Sequence, residues 1–213
     1  MQSQIFDRAK HVYTNDAFVE LVKDAVRFFN GTPVHTLPPP TRFLGTGVYA
    51  LYYTGRSGIY GRYGELNRLS YGHPIYVGKA VPKGWRQART VDIPGQQSAE
   101  LFNRLNEHSR NITTVNGIDL NDFMCRFVIL EEASSDMIGT IEAALIKVHT
   151  PLWNTSLDGF GNHTPGKGRF NQAKSDWDVI HEGRAWAAKC QGIANEKSLL
   201  IENIKKYFTA QGR

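Results

Sequence analysis

The stretch Thr46-Gly47-Val48-Tyr49-Ala50-Leu51-Tyr52-Tyr53 decides how the rest of the chain is read. Its density of β-branched and aromatic residues, set between Gly45 and Gly55, predicts a strand. A second segment, Pro74-Ile75-Tyr76-Val77, followed directly by Gly78-Lys79, predicts another. Between them, residues 54–73 carry Gly55, Gly58, Gly61, Gly64 and Gly72 interspersed with Arg56, Arg62 and Arg68. That punctuation reads as an inserted loop, mobile without a ligand.

Upstream, Phe18, Leu21, Val22, Ala25, Val26 and Phe29 recur at three and four, which predicts an amphipathic helix over 16–30 capped by Asn15 or Asp16. Pro38-Pro39-Pro40 then forms a stiff connector. Downstream, Lys79–Gly95 is a second basic, Pro/Gly-punctuated excursion. Ser98–Arg110 is helical by pattern, with Leu101, Phe102 and Leu105 on the buried stripe and Arg104 and His108 one turn apart at its margin. Phe123–Leu130 predicts a third strand. A helix capped by Ser135 or Asp136 follows, its apolar side made by Met137, Ile138, Ile141, Ala144, Leu145 and Val148, with Glu142 at the border of that stripe. Thr150-Pro151 stops it, and Trp153-Asn154 comes next. A Gly-rich basic loop over 159–169, with Lys167 and Arg169, leads to a helix expected from Asp176 to about Lys189.

The 213 residues are 41% hydrophobic and 21% charged, enough apolar material for a sizeable core. The net charge of +5 favours phosphate-bearing partners. Residues 1–7 lack the order of a signal peptide, and no apolar run approaches bilayer length, so a cytosolic, membrane-free setting is expected. Cys125 and Cys190 sit in unrelated contexts, which argues against a disulfide framework. The remaining histidines show no metal-ligand spacing.

Phosphodiester hydrolysis needs an activated water, a cation on the developing charge and a proton for the leaving oxygen. Glu142 suits a hard divalent ion, magnesium by default with manganese as a substitute. Arg104 suits a phosphate through its planar donor fork, Tyr49 and Tyr76 suit water or phosphate oxygens, and His108 suits proton exchange. Singly, each has a plain reading: tyrosines on strands pack, a border glutamate is solvated, Arg104 and His108 form a surface pair, and Asn154 caps the turn after Pro151.

Together and in this order, Tyr49, Tyr76, Arg104, His108, Glu142 and Asn154 resemble the GIY-YIG nuclease superfamily over residues 45–155. The resemblance implies an α/β (α+β) fold: a small, mainly antiparallel three-stranded central sheet flanked by helices. It also implies roles. Tyr49, helped by His108, would activate water, and Tyr76 would assist at the phosphate. Arg104 would stabilise the transition state, Glu142 would bind the single metal, Asn154 would orient the site, and Lys79 matches a frequent family choice. The first motif reads Gly-Val-Tyr, while a literal Gly58-Ile59-Tyr60 occurs later. Tyr60 is set aside because its neighbours read as loop, whereas Val48–Tyr53 read as strand.

The expected organisation is an N-terminal helical arm and Pro-rich connector over 1–42, a catalytic core over 43–155 with the inserted loop 54–73, and a C-terminal basic loop and helix over 156–213. That layout resembles the type II restriction endonucleases of the superfamily, in particular those cutting CCGCGG. It implies a homodimer on a palindrome in double-stranded DNA, in the cytoplasm of a prokaryotic cell. Arg56, Arg62, Arg68, Lys79, Lys167 and Arg169 are the candidate DNA contacts. A structure-selective repair, recombination or homing-type nuclease is the alternative enzyme. A DNA-binding protein without the reaction is the alternative outside that class.

Overall fold

A computed structural model describes residues 6–56, 58–82, 85, 98–166 and 168–212. Lys167 and most of the 83–95 excursion, both named above as basic stretches, lie outside the described residues. Among the described residues, no helix is long and apolar enough to cross a membrane.

Helix α1 (Asp16–Gly31) starts where expected, the Asn15 side chain accepting from the Phe18 amide at 3.2 Å. Strand β1 (Val34–Thr36) follows, then β2 (Gly47–Tyr53), helix α2 (Gly61–Asn67) and β3 (Tyr76–Ala80). Helix α3 (Glu100–Thr113), β4 (Phe123–Ile129), α4 (Ile138–His149) and the short α5 (Leu152–Thr155) come next. The chain ends in α6 (Asp176–Ile180) and α7 (Lys197–Ala210).

The sheet is antiparallel throughout and has four strands in the order β1-β4-β2-β3. This corrects the expected three. The extra strand is the three-residue β1, which pairs Val34, His35 and Thr36 with Arg126, Cys125 and Met124. Wedged between Pro33 and Pro38, it is too short to show a period in sequence.

All seven residues of β2 are buried, and they split between two cores. Val48, Ala50 and Tyr52 meet Phe29, Ile138, Ile141 and Leu145 on the α1/α4 side. Tyr49, Leu51 and Tyr53 face the larger core, with Leu101, Leu105, Trp153, Phe160 and Trp177. A strand covered on both faces reads as one unbroken apolar run, which is why 46–53 is so legible.

Two further expectations change. Residues 54–73 are not an open loop: a 3-10 turn (Gly58–Tyr60) and α2 bury Tyr60, Tyr63 and Asn67. The Asn67 side chain ties both ends of the excursion, bonding the Tyr53 and His73 backbones at 3.0–3.1 Å. The C-terminal helix is not a single element over 176–189. It is the five-residue α6, then irregular chain, then α7, which buries Leu200, Ile204, Tyr207 and Phe208. The Tyr63 hydroxyl meets that of Tyr207 at 2.9 Å, so the insertion and the C-terminal segment pack on each other.

Candidate active site

Tyr49 leaves the middle of β2 directly opposite Gly78 of β3. A side chain at position 78 would collide with it, since a Cβ built there falls 2.4 Å from the Tyr49 hydroxyl. The glycine of the second motif is therefore the space over which the first tyrosine lies. That hydroxyl reaches α3, where it lies 2.5 Å from His108 Nε2. Tyr76 comes from the edge strand on the same side; its ring centroid is 5.4 Å from that of His108 and 6.2 Å from that of Tyr49.

His108 is fully buried on the stripe of α3 with Leu101, Leu105 and Ile112, not at its margin. Burial, then the charge of Arg104, holds its pKa well below the ordinary imidazole value. The ring is neutral at pH 7, and its Nδ1 has no hydrogen-bond partner among the described residues. Burial likewise pushes Tyr49 and Tyr76 above the ordinary phenol value, and the two nearby charges act on both in opposite senses: Arg104 lowers them, Glu142 raises them. Tyr49 and Tyr76 thus feel both a cation and an anion.

Arg104 is held from three sides. One of its terminal nitrogens donates to Glu107 at 2.6 Å and to His163 Nε2 at 3.1 Å, and the other donates to the Gly161 carbonyl at 2.8 Å. His163 Nδ1 lies 3.0 Å from Glu107, so its Nδ1–H donates to the carboxylate and Nε2 accepts from Arg104. The loop bearing Gly161 also lays the Phe160 ring on His108, stacked at 4.5 Å and 20°.

Glu142 lies half-buried on α4, its carboxylate 2.5 Å from the ammonium of Lys79. Lys79 alternates with Gly78 and so issues from the opposite face of β3, towards α4. Among the described residues, the Asn154 side chain bonds neither tyrosine's hydroxyl. It accepts from the Val77 amide at 2.8 Å and donates to the Val77 carbonyl at 2.9 Å. It acts on the site by holding β3. Tyr60 is elsewhere: its hydroxyl bonds His181 Nε2 at 2.7 Å in the buried core.

Arg56, Arg62, Arg68 and Arg169 are exposed, and Arg62 pairs with Glu65 at 2.6 Å. Sequence reading passed over Glu107, Phe160, Gly161 and His163, all of which contact the site. Gly161 and Phe160 belong to a loop whose basic composition pointed to DNA contact and not to the wall of the site, and His163 has no partner at a recognisable spacing. Only Glu107, three residues after Arg104, lay within reach of a helical-pairing rule.

Among described residues, no group of three or more His, Cys, Asp or Glu side chains is placed to hold a metal ion. No curated protein matches the chain. A family model described as the Eco29kI GIY-YIG domain matches residues 41–208, most of the chain, from before β2 into the last turn of α7. With both tyrosine strands, α3 and the glutamate helix inside that match, the chain belongs to the GIY-YIG restriction endonuclease family, whose members are nucleases acting on DNA.

Proposed function

We propose that this chain is a type II restriction endonuclease. It hydrolyses phosphodiester bonds in both strands of double-stranded DNA at a short, GC-rich palindrome of the CCGCGG kind. One observation carries the reading: the buried Tyr49–His108 hydrogen bond, placed where the charges of Arg104 and Glu142 both reach it. The other buried tyrosine–histidine pair, Tyr60–His181, commits both imidazole nitrogens, whereas His108 keeps Nδ1 without a partner among the described residues.

The chemistry of the donor set fits one hard divalent ion. Glu142 already holds a cation, the Lys79 ammonium, which stands in for a metal's charge. A single carboxylate with water and phosphate oxygens completing the shell is magnesium's habit, and manganese fits the same donors. When bound, such an ion supplies a positive charge for the scissile phosphate and lowers the pKa of coordinated water. The chain's own residues do the rest. Tyr49 takes a proton from the attacking water and relays its own to His108 Nε2, which is neutral and able to accept. Arg104, pre-set by Glu107, His163 and Gly161, presents its guanidinium to the developing phosphate charge. Tyr76, beside Tyr49 and His108, is assigned to the phosphate, and Asn154 keeps β3 in register.

The exposed Arg56, Arg62, Arg68 and Arg169, with Lys79, are assigned to phosphates and base edges, since arginine matches guanine bidentately. Cutting both strands of a palindrome with one site per chain calls for a homodimer.

Glu142→Ala tests the reading directly. Incubated with magnesium and plasmid DNA, the wild type gives discrete fragments whose ends share one palindrome. The variant binds the same DNA and leaves it uncut. Wild-type cutting by the variant would remove Glu142 as metal ligand, and wild-type cleavage confined to branched DNA would overturn the restriction assignment.

A further inference from the structure

Arg184 takes no part in the site described above, yet it is a buried cation, only 4% exposed. A guanidinium survives such burial only when its charge and its donors are matched. Its Nε donates to Asp178 at 2.6 Å. Its terminal nitrogens donate to the Gly159 carbonyl at 2.8 Å and to those of Phe160 and Asn162 at 3.1 and 3.3 Å. The rings of Trp177 and Trp186 lie 4.6 and 4.8 Å from its carbon centre. Asp178 is itself fixed, accepting from the Ser175 hydroxyl at 2.7 Å at the start of α6.

Three of the four Arg184 bonds therefore go to the backbone of one loop, and the opposite side of that loop is the wall of the active site. Phe160 stacks on His108, the Gly161 carbonyl accepts from Arg104, and His163 joins Arg104 to Glu107. Gly161 also has no room to move inward, since a Cβ there falls 2.4 Å from the Tyr76 hydroxyl.

We propose that the buried Asp178–Arg184 pair is a positioning device that fixes residues 159–163 and, through them, the guanidinium of Arg104 and the ring of His108. The proposal rests on the nuclease reading above and deepens it, because it makes the C-terminal segment a working part of the catalytic apparatus. Neither residue touches the reacting atoms. A buried ion pair is a costly way merely to hold two segments together, since apolar side chains of similar size do that as well. What apolar groups cannot do is satisfy three carbonyls of a loop and so set its position. The planar guanidinium fork does so.

Two variants test it. Arg184→Lys keeps a charge for Asp178 but loses the rigid fork. Asp178→Asn removes the counter-charge of Arg184 and leaves every residue of the site and its loop unchanged. Single-turnover cleavage of plasmid DNA with magnesium, DNA binding without divalent metal, thermal melting and ¹³C-histidine NMR are measured on each. Both variants are expected to fold and to bind DNA as the wild type does. Cleavage should be about 10- to 100-fold slower, the size expected for a displacement near 1 Å at a reacting group, and the His108 resonance should shift. A folded Arg184→Lys variant that cuts at the wild-type rate would overturn the proposal. So would a rate loss matched by an equal loss of binding. If Arg184→Lys does not fold, Asp178→Asn decides by the same measures. A wild-type protein that cuts no DNA would defeat the nuclease reading instead, and the histidine spectra would still decide whether the loop sets His108.

Discussion

Two tyrosine–histidine hydrogen bonds lie in the larger core, and they differ in what surrounds them. Tyr60 meets His181 at 2.7 Å, and His181 Nδ1 lies 3.1 Å from the Asn116 carbonyl. A carbonyl only accepts, so His181 carries its proton on Nδ1 and Nε2 accepts from Tyr60. Every polar atom of that pair is committed. Tyr49 meets His108 at 2.5 Å, but His108 Nδ1 has no partner among the described residues, so nothing fixes its tautomer. Opposite charges reach both pairs: Arg104 and Glu142 act on Tyr49, while Arg184, Lys197 and Asp178 act on His181. A buried Tyr–His bond is therefore not a signature of catalysis. The uncommitted His108 nitrogen is what sets the strand tyrosine's pair apart from that of Tyr60 in the literal Gly-Ile-Tyr triplet.

The sharpest way to break the comparison is to delete the same oxygen from each pair. Tyr49→Phe is expected to slow DNA cleavage by about 10²-fold or more, the usual worth of a positioned proton-transfer group. Cutting at the wild-type rate would return Tyr49 to a packing role. Next in size is a pH effect specific to the sealed pair. Burial lowers the His181 pKa from 6.5 to about 4, with the Asn116 carbonyl opposing. The unfolded chain takes up this proton near pH 6.5, the folded chain only near pH 4. Stability from this group is thus complete above about pH 6.5 and falls by about 3 kcal/mol as the pH drops to about 4. Unfolding free energies from denaturant melts should fall between pH 7 and pH 4 by about that much more for the wild type than for His181→Gln; equal falls would show that His181 titrates as if exposed. The smallest effect belongs to Tyr60→Phe. It should cost about 1–3 kcal/mol of stability, by leaving His181 Nε2 unpaired, while cleavage stays at the wild-type rate. A fall in cleavage like that of Tyr49→Phe would make Tyr60 the functional tyrosine.

The comparison also shows what a sequence can carry. Helix α1 and the glutamate helix declare themselves by period, and β2 by an unbroken apolar run, because each has one pattern of environment along its length. Tyr60 and Tyr63 do not, since glycines and arginines surround them and their burial depends on Tyr207 and His181, more than a hundred residues away. Helix α7 was legible in principle, as Leu200, Ile204, Tyr207 and Phe208 keep helical spacing. At the site, the order of tyrosines, arginine, histidine and glutamate was readable. The loop at 159–163 was not, because a backbone carbonyl that orients an arginine leaves no trace in side-chain chemistry.

Asn154 has a consequence of another kind. Strand β3 lies at the edge of the sheet, and an edge strand offers unpaired amides and carbonyls to any passing chain. Here the Asn154 side chain imitates a neighbouring strand at Val77, and the Trp153 amide does the same for the Ile75 carbonyl at 3.0 Å. One short helix thus shields the strand that carries Tyr76 from intermolecular pairing. Replacing Asn154 with alanine would uncover a sticky ribbon, so lost activity in that variant should be read alongside its light scattering.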